Sequence, residues 1–254
     1  VDEFKVELES MGIKVFNLPI PRNIFNLIDI FSSLKELIEI MNVNNYSLMH
    51  CHSPIGGVVA RLASQLSKSK NRMATIYTAH GFHFFKGAPI VNWFIYYPVE
   101  KWLSRYTDTL ITINKEDYSR AKRKFKAKRV EYVPGVGIDL KKFNNVKVDR
   151  DLKRSQLGLP KEAFVVLSVG ELNKNKNHEV IIRAIAKIDN PDIHYIVCGE
   201  GPLTGYLIDL SEDLGIKNRV HLLGFRKDIA EICKVSDLFT FPSYREGLSV
   251  ALME

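Results

Sequence analysis

The sequence predicts an α/β protein made of two doubly wound parallel-sheet domains facing each other across a cleft. Three observations carry this expectation. Short apolar runs of strand length alternate with segments whose apolar residues recur at helical spacing, the pattern of parallel strands joined by helical crossovers. The alternation stops over the polar, charge-rich stretch 144–158 and then restarts. The residues able to do chemistry fall mostly at the carboxyl ends of the expected strands, where open α/β sheets bind ligands.

Each element has its own justification. Residues 12–18 read as a strand. Residues 24–43 place Ile24, Leu27, Ile28, Phe31, Leu34, Leu37, Ile38 and Met41 on one helical face. Residues 47–52 form a buried strand that ends in polar residues, and the turn Ser53-Pro54 leads into a small-residue helix over 57–66. A strand at 75–78 ends just before His80. An aromatic-rich helix covers 92–104, a strand 109–113, a helix 115–125 and a strand 130–133, which Pro134-Gly135 stops. After the polar stretch, strands at 164–169, 193–198, 220–223 and 238–241 alternate with helices at 178–188, 203–214 and 229–235. The expected division is a first domain over 1–143, a linker over 144–160 and a second domain over 161–254. Val1 to Leu8 reads as the middle of an element and Glu254 falls in mid-helix, so both domains are expected to be incomplete and the chain a fragment.

Composition narrows the function. A length of 254 residues suits two ordinary domains. The 46% hydrophobic and 26% charged content excludes a disordered chain. The three cysteines, Cys51, Cys198 and Cys233, are odd in number and far apart, which excludes a disulfide framework or zinc finger and points to a reducing cytoplasm. No apolar run reaches the ~18 residues of a spanning helix, and no signal peptide is visible. The net charge is +7, and much of the excess lies in 120–129. Such a run is either a solvated helix end or a contact for anionic phosphates. Phe125 is its one aromatic residue, so it lacks the stacking array of a single-strand binder. An anionic membrane surface is the preferred functional partner, and nucleic acid is not expected.

The most specific pattern closes the chain. After the strand at 238–241 come the turn Pro242-Ser243, then Arg245, Glu246, Gly247, Leu248, Ser249 and an apolar run to Glu254. The free N–H groups and dipole of a helix start favour an anion behind such a turn. A helix beginning near Leu248 sets Glu254 about 9 Å along its axis at ~1.5 Å per residue. That spacing suits one carboxylate on a sugar and another on a ribose, at the two sides of a diphosphate. A second loop, Gly170 to His178, follows a buried strand. Gly170 permits a tight turn, and Lys174 and Lys176 can neutralise phosphate. Gly199 and Gly201 in the segment 198–203 allow close approach. By themselves, residues 224–228 read as a strand-end turn with Asp228 as N-cap. His50 and His52 point the same way from one strand. With no third ligand near in sequence they read as cleft-wall or structural residues. Phe82 to Trp102 reads as a packed helix and loop, or else as an apolar patch for a lipid-linked ligand or membrane.

These motifs resemble, in order and over nearly the whole chain, the retaining glycosyltransferases of family four, which have the GT-B fold and use nucleotide-sugar donors. Residues 246–254 are similar to that family's E-x7-E motif. The resemblance implies that Glu246 touches the donor sugar, that the backbone of Gly247, Leu248 and Ser249 meets the diphosphate, and that Glu254 holds the ribose. It implies a donor role for Gly170, Lys174, Lys176, Gly199 and Gly201, and places the uracil edge against the backbone beside Phe225 and Arg226. Thr78-Ala79-His80-Gly81 is similar to the family's T-x-H-G segment, which implies that His80 hydrogen-bonds a sugar hydroxyl. Pro134 to Asp139 resembles its hinge turn, with Gly137 and Asp139 as hinge and cleft residues. Glu171 departs from the pattern, since the family carries Arg there. The domains are then Rossmann-like, the second binding the nucleotide sugar and the first the acceptor.

The function implied is hexose transfer with retention, from a UDP-linked donor to a lipid-linked bacterial surface glycan such as capsule or exopolysaccharide. It needs neither metal nor cofactor. The acceptor would be a sugar on a polyprenyl diphosphate, at the inner face of the plasma membrane. The rival readings are a nucleotide-sugar epimerase of the same fold, a non-catalytic membrane-binding module and an inactive gene fragment.

Overall fold

A computed structural model describes residues 2–21, 23–68, 73–135, 137–246 and 248–254, with the side chains of residues 2 and 3 left aside. The chain divides into two compact units, Val1–Gly135 and Val136–Glu254.

The first unit runs α1 (Asp2–Ser10), α2 (Leu27–Val43), β1 (Leu48–His52), α3 (Pro54–Leu66), β2 (Ala74–Ala79), α4 (Ile90–Leu103), β3 (Thr109–Thr112), α5 (Lys115–Lys124) and β4 (Arg129–Tyr132). Its four strands pair in parallel in the order β1-β2-β3-β4. All carboxyl ends therefore lie along one edge. Residues 12–18 form no strand. They alternate as a strand does, but no described neighbour offers them a ladder, and alternation alone cannot satisfy backbone groups.

The predicted aromatic helix splits in character. Phe82 and Phe84 are buried, and Trp93, Tyr96, Tyr97 and Phe125 pack against them. Ile90, Val91, Phe94 and Trp102 are exposed on α4. Beneath this helix Arg61 is buried, with 1% of its side chain exposed, and bonds Glu100 Oε2 at 2.9 Å. Glu100 Oε1 accepts from the Tyr77 hydroxyl at 3.2 Å, and the guanidinium lies 4.0 Å from the centre of the Tyr77 ring. Gly57 makes room for that ring, since a Cβ there would stand 2.6 Å from Tyr77 Cε2.

The second unit runs α6 (Leu140–Asn144), α7 (Arg150–Gln156), β5 (Phe164–Val169), α8 (His178–Ile188), β6 (Ile193–Cys198), α9 (Thr204–Asp213), β7 (Val220–Leu222), α10 (Ile229–Val235), β8 (Leu238–Phe239) and α11 (Val250–Met253). Its parallel strands lie in the order β7-β6-β5-β8. The two-residue period of a strand sends alternate side chains into two cores. Val165, Leu167, Ile196 and Cys198 meet Ile232 and Val235 on one face, and Val166, Tyr195 and Val197 meet Ile182, Ile185 and Leu207 on the other.

The expected linker 144–160 is not a free connection. Its Arg150, Lys153 and Arg154 pair with Asp237, Asp228 and Glu231 and so pack α7 into the second unit, which begins earlier, at Val136. Arg154 is buried and bonds the carbonyls of Val235, Lys161 and Ala163 at 3.0, 2.7 and 2.8 Å, and Asp237 Oδ2 at 2.7 Å. That same Asp237 oxygen accepts the Val165 N–H at 2.8 Å. A charge-rich segment looks like linker by composition, yet here it carries partly buried ion pairs.

The buried pair in the first unit sets a stability test. Glu100→Gln leaves the Arg61 charge buried without an anion, and should cost about 3–5 kcal/mol. Urea unfolding measures it, and a change below about 1 kcal/mol, the scale of an exposed pair, would show that the pair does not hold α4 to α3.

Candidate functional site

In the second unit three turns meet at the carboxyl ends of β5, β6 and β7. The Gly170 N–H donates to the Cys198 carbonyl at 3.0 Å, and the Gly199 N–H to the Gly224 carbonyl at 2.8 Å. The Leu172 N–H donates to Glu200 O at 3.0 Å, and the Leu203 N–H to Leu172 O at 2.9 Å. Gly199 and Gly201 are needed for these contacts. A Cβ on Gly199 would lie 2.0 Å from Gly170 O, and one on Gly201 2.5 Å from Leu172 O. The close approach the sequence suggested is between the two loops themselves.

Parallel pairing of β5 with β8 then brings the last turn beside the Gly170–His178 loop. Lys176 Nζ lies 2.8 Å from Glu246 Oε1, with side-chain exposures of 18% and 24%. The same ammonium stands 5.2 Å from the centre of the Phe241 ring. A Cβ on Gly170 would press on the Lys176 stem at 3.1 Å. Asn175, which sequence reasoning did not single out, joins the loops. Its Nδ2 donates to Arg245 O at 2.8 Å and lies 3.4 Å from Glu246 Oε1, and its own carbonyl accepts the Tyr244 N–H at 2.9 Å. Asn177 begins α8 in a left-handed conformation, φ 52°, which Asn tolerates better than most residues.

Other expected residues take varied positions. Lys174 is exposed and lines a recess of about 250 Å³ with Asn177, Leu203, Leu207 and Tyr244. Glu171 is exposed and accepts from Asn173 Nδ2 at 2.9 Å. Gly247 and Val136 lie outside the described residues. Leu248 precedes α11, and Ser249 caps it, accepting the Leu252 N–H at 3.3 Å. The closing helix thus starts at Val250, later than Leu248, and Glu254 is its exposed C-cap.

The Phe225 ring is exposed, and its N–H lies 3.4 Å from Glu200 Oε1. Arg226 Nε bonds Asp228 Oδ1 at 2.8 Å, and Lys153 Nζ reaches Asp228 Oδ2 at 2.6 Å. Arg226, first among the causes, holds the Asp228 carboxyl well below the usual carboxylate range. Asp228 stands at the N-cap of α10 but its side chain makes no cap bond, because both oxygens serve cations.

Behind the site, buried His178 has its Nδ1 3.1 Å from the Tyr195 hydroxyl, which donates to Ser168 Oγ at 2.9 Å. Ser168 Oγ in turn donates to Thr240 O at 2.9 Å. This polar chain links α8, β6, β5 and the segment after β8 under the turns. The sequence offered no local signal for it, since its members are spread over more than seventy residues.

In the first unit, β1 and β2 end in a histidine cluster. His52 Nδ1 lies 3.0 Å from His80 Nε2, and His50 Nε2 lies 2.8 Å from Thr78 Oγ1. The His50 and His52 rings are 4.3 Å apart, as expected for side chains two residues apart on a strand. Among the described residues, no group of three His, Cys, Asp or Glu side chains is placed to hold a metal ion.

Comparison with known proteins decides the family. A model of group 1 glycosyl transferases matches residues 149–254, and one of glycosyl transferase 4-like proteins matches residues 2–114. This chain belongs to the group 1 glycosyltransferases. It is 38% identical over 243 residues to EpsD of Bacillus subtilis (strain 168), named as a glycosyltransferase, covering 94% of this chain and 63% of that protein. It is 31% identical over 251 residues to the UDP-Gal:alpha-D-GlcNAc-diphosphoundecaprenol alpha-1,3-galactosyltransferase of Escherichia coli, covering 96% and 64%. The chain therefore spans less than two thirds of the length of these two relatives. Among solved structures it is similar to Anabaena HepE in complex with UDP-glucose, with TM-score 0.74, 21% identity and coverage of 95% and 64%. WaaG, a glycosyltransferase involved in lipopolysaccharide biosynthesis, matches at TM-score 0.68 and 15% identity, with coverage of 95% and 65%. These likenesses establish the GT-B fold expected from the sequence.

Two predictions follow from the geometry of this group 1 glycosyltransferase. Gly199→Ala should push the Gly170 and Gly199 turns apart and lower the thermal midpoint of the second unit by several degrees, as about 1–3 kcal/mol of overpacking would. Calorimetry checks it, and an unchanged midpoint would mean the turns yield freely. The second concerns pH. Burial, the leading cause at each, lowers the pKa of His50, His80, His83, His178, His194 and His221 from 6.5. Below pH 6.5 the unfolded chain then binds more protons than the folded one, so stability is full above that pH and falls as pH drops through the lowered values. Urea midpoints at pH 7.5 and 5.5 should differ in that direction. An equal or higher midpoint at pH 5.5 would contradict it.

Proposed function

We propose that the protein transfers a hexose from a UDP-linked donor, with retention and without a metal, to a glycan carried on a polyprenyl diphosphate. The observation that carries this reading is the meeting of Lys176, Asn175 and Glu246 beside the turns of β5, β6 and β7. In this reading Lys176 meets the diphosphate, Glu246 the sugar hydroxyls, Glu254 the ribose, and the Leu248–Ser249 backbone a phosphate oxygen. The backbone beside Phe225 and Arg226 reads uracil, which suits an Arg226 side chain already committed to Asp228. Lys176 and Lys174 take over the neutralising role left by Glu171, and His80 on the first unit meets a sugar hydroxyl. The protein's part is then to position the donor and stabilise the leaving diphosphate electrostatically.

Relatives support the donor and acceptor classes. The E. coli protein is named for galactose transfer from UDP-Gal onto an undecaprenol-linked sugar, and HepE structures carry UDP and glucose or UDP-glucose. Work at the inner face of the plasma membrane is proposed from the exposed Ile90, Val91, Phe94 and Trp102 of α4, with Lys101 in its last turn and Arg105 in the turn that follows. Among the described residues no helix is long and apolar enough to cross a membrane, and the contact proposed for this face is peripheral.

Calorimetric titration tests the donor site. UDP should bind more tightly than ADP or GDP. Glu254→Ala should weaken UDP about tenfold, the loss of one charged hydrogen bond. In the transfer reaction Lys176→Ala should lower the rate at least about tenfold, as removal of a charge-stabilising donor does. Equal affinity for all three nucleotides, or wild-type behaviour of both variants, would remove this site from the mechanism.

A further inference from the structure

Lys176 and Glu246 face each other as well as the proposed donor, and that contact has a consequence for product release. The pair is partly buried and its separation of 2.8 Å is that of a charge-assisted hydrogen bond. Asn175 holds the Glu246 side of it through the Arg245 carbonyl. The carboxylate is therefore fixed beside the ammonium that would receive a diphosphate.

A nucleotide sugar and a nucleoside diphosphate meet this arrangement differently. The sugar ester brings hydroxyl donors for the carboxylate, and its β-phosphate carries a single charge. The free diphosphate brings no hexose hydroxyl to Glu246, and its terminal phosphate carries close to one further negative charge at neutral pH, since the second ionisation of a phosphate monoester lies near 6. That extra charge would sit against Glu246, in a partly shielded site where salt screens little. Any share of Lys176 drawn to the diphosphate also leaves Glu246 less well paired.

We infer that Glu246 discriminates the intact nucleotide sugar from the nucleoside diphosphate left after transfer, disfavouring the product through its charge. This rests on the donor-site reading above, and it adds a role that sugar contact alone does not require. Glu246 then lowers affinity for UDP while supporting affinity for the UDP-hexose, so that the spent nucleotide leaves.

Titration of wild type and Glu246→Gln with UDP and with UDP-glucose or UDP-galactose, whichever binds wild type more tightly, separates the possibilities. Gln keeps the shape and removes the charge, and circular dichroism confirms that the variant is folded. The variant should bind UDP at least about threefold more tightly than wild type, from relief of a like-charge contact. Its preference for the UDP-hexose over UDP should fall. UDP binding by wild type that Glu246→Gln leaves unchanged or weakens would overturn this inference and leave the donor site standing. A wild type that binds no UDP would overturn both.

Discussion

Parallel pairing of β5 with β8 is the constraint on which the candidate site depends. The register sets Val166 beside Leu238 and Leu167 beside Phe239. Both strands consequently end at the same edge, and the loops that follow them, seventy residues apart in sequence, must meet. Lys176 and Glu246 are neighbours for that reason. The pairing is locked from below by Asp237, which takes the Val165 N–H and the Arg154 guanidinium, and from above by the Ser168–Thr240 hydroxyl contact at 2.9 Å. The polar site is thus built on partly buried polar bonds at both ends of the strand pair.

The first unit uses the same plan with different chemistry. Its strands also end along one edge, and β1 and β2 deliver His52 and His80 there at 3.0 Å. Burial and the neighbouring His52 imidazole both resist a charge on His80, which fits the hydrogen bond to a sugar hydroxyl proposed for it. The ring positions rest on a sheet that Arg61, Glu100 and Tyr77 tie to α4. An ion pair so fully enclosed adds little net stability compared with apolar packing, and it fixes which side chains fit together.

Much of this was legible in the sequence, and the exceptions are physical. Strands at 164–169 and 193–198 and helices at 178–188 and 229–235 match β5, β6, α8 and α10, because long regular runs carry period and length together. Residues 12–18 misled because a strand is a property of a pair. The 144–160 stretch misled because the ligands of its charges, Asp228, Glu231 and Asp237, lie some eighty residues away. Lys176 and Glu246 are candidates from motif context that the fold brings into contact, whereas Asn175 and His178 have partners that only the folded sheet assembles. The start of α11 was placed two residues early because Ser249, as N-cap, stands one residue outside the helix it begins.

The most direct test of this account is a crystal structure of the chain grown with UDP. The account predicts the diphosphate within hydrogen-bond reach of Lys176 Nζ, with the ribose against Glu254 and uracil beside the Phe225 backbone. Ordered UDP bound at any other place, with the Lys176–Glu246 contact untouched, would contradict it.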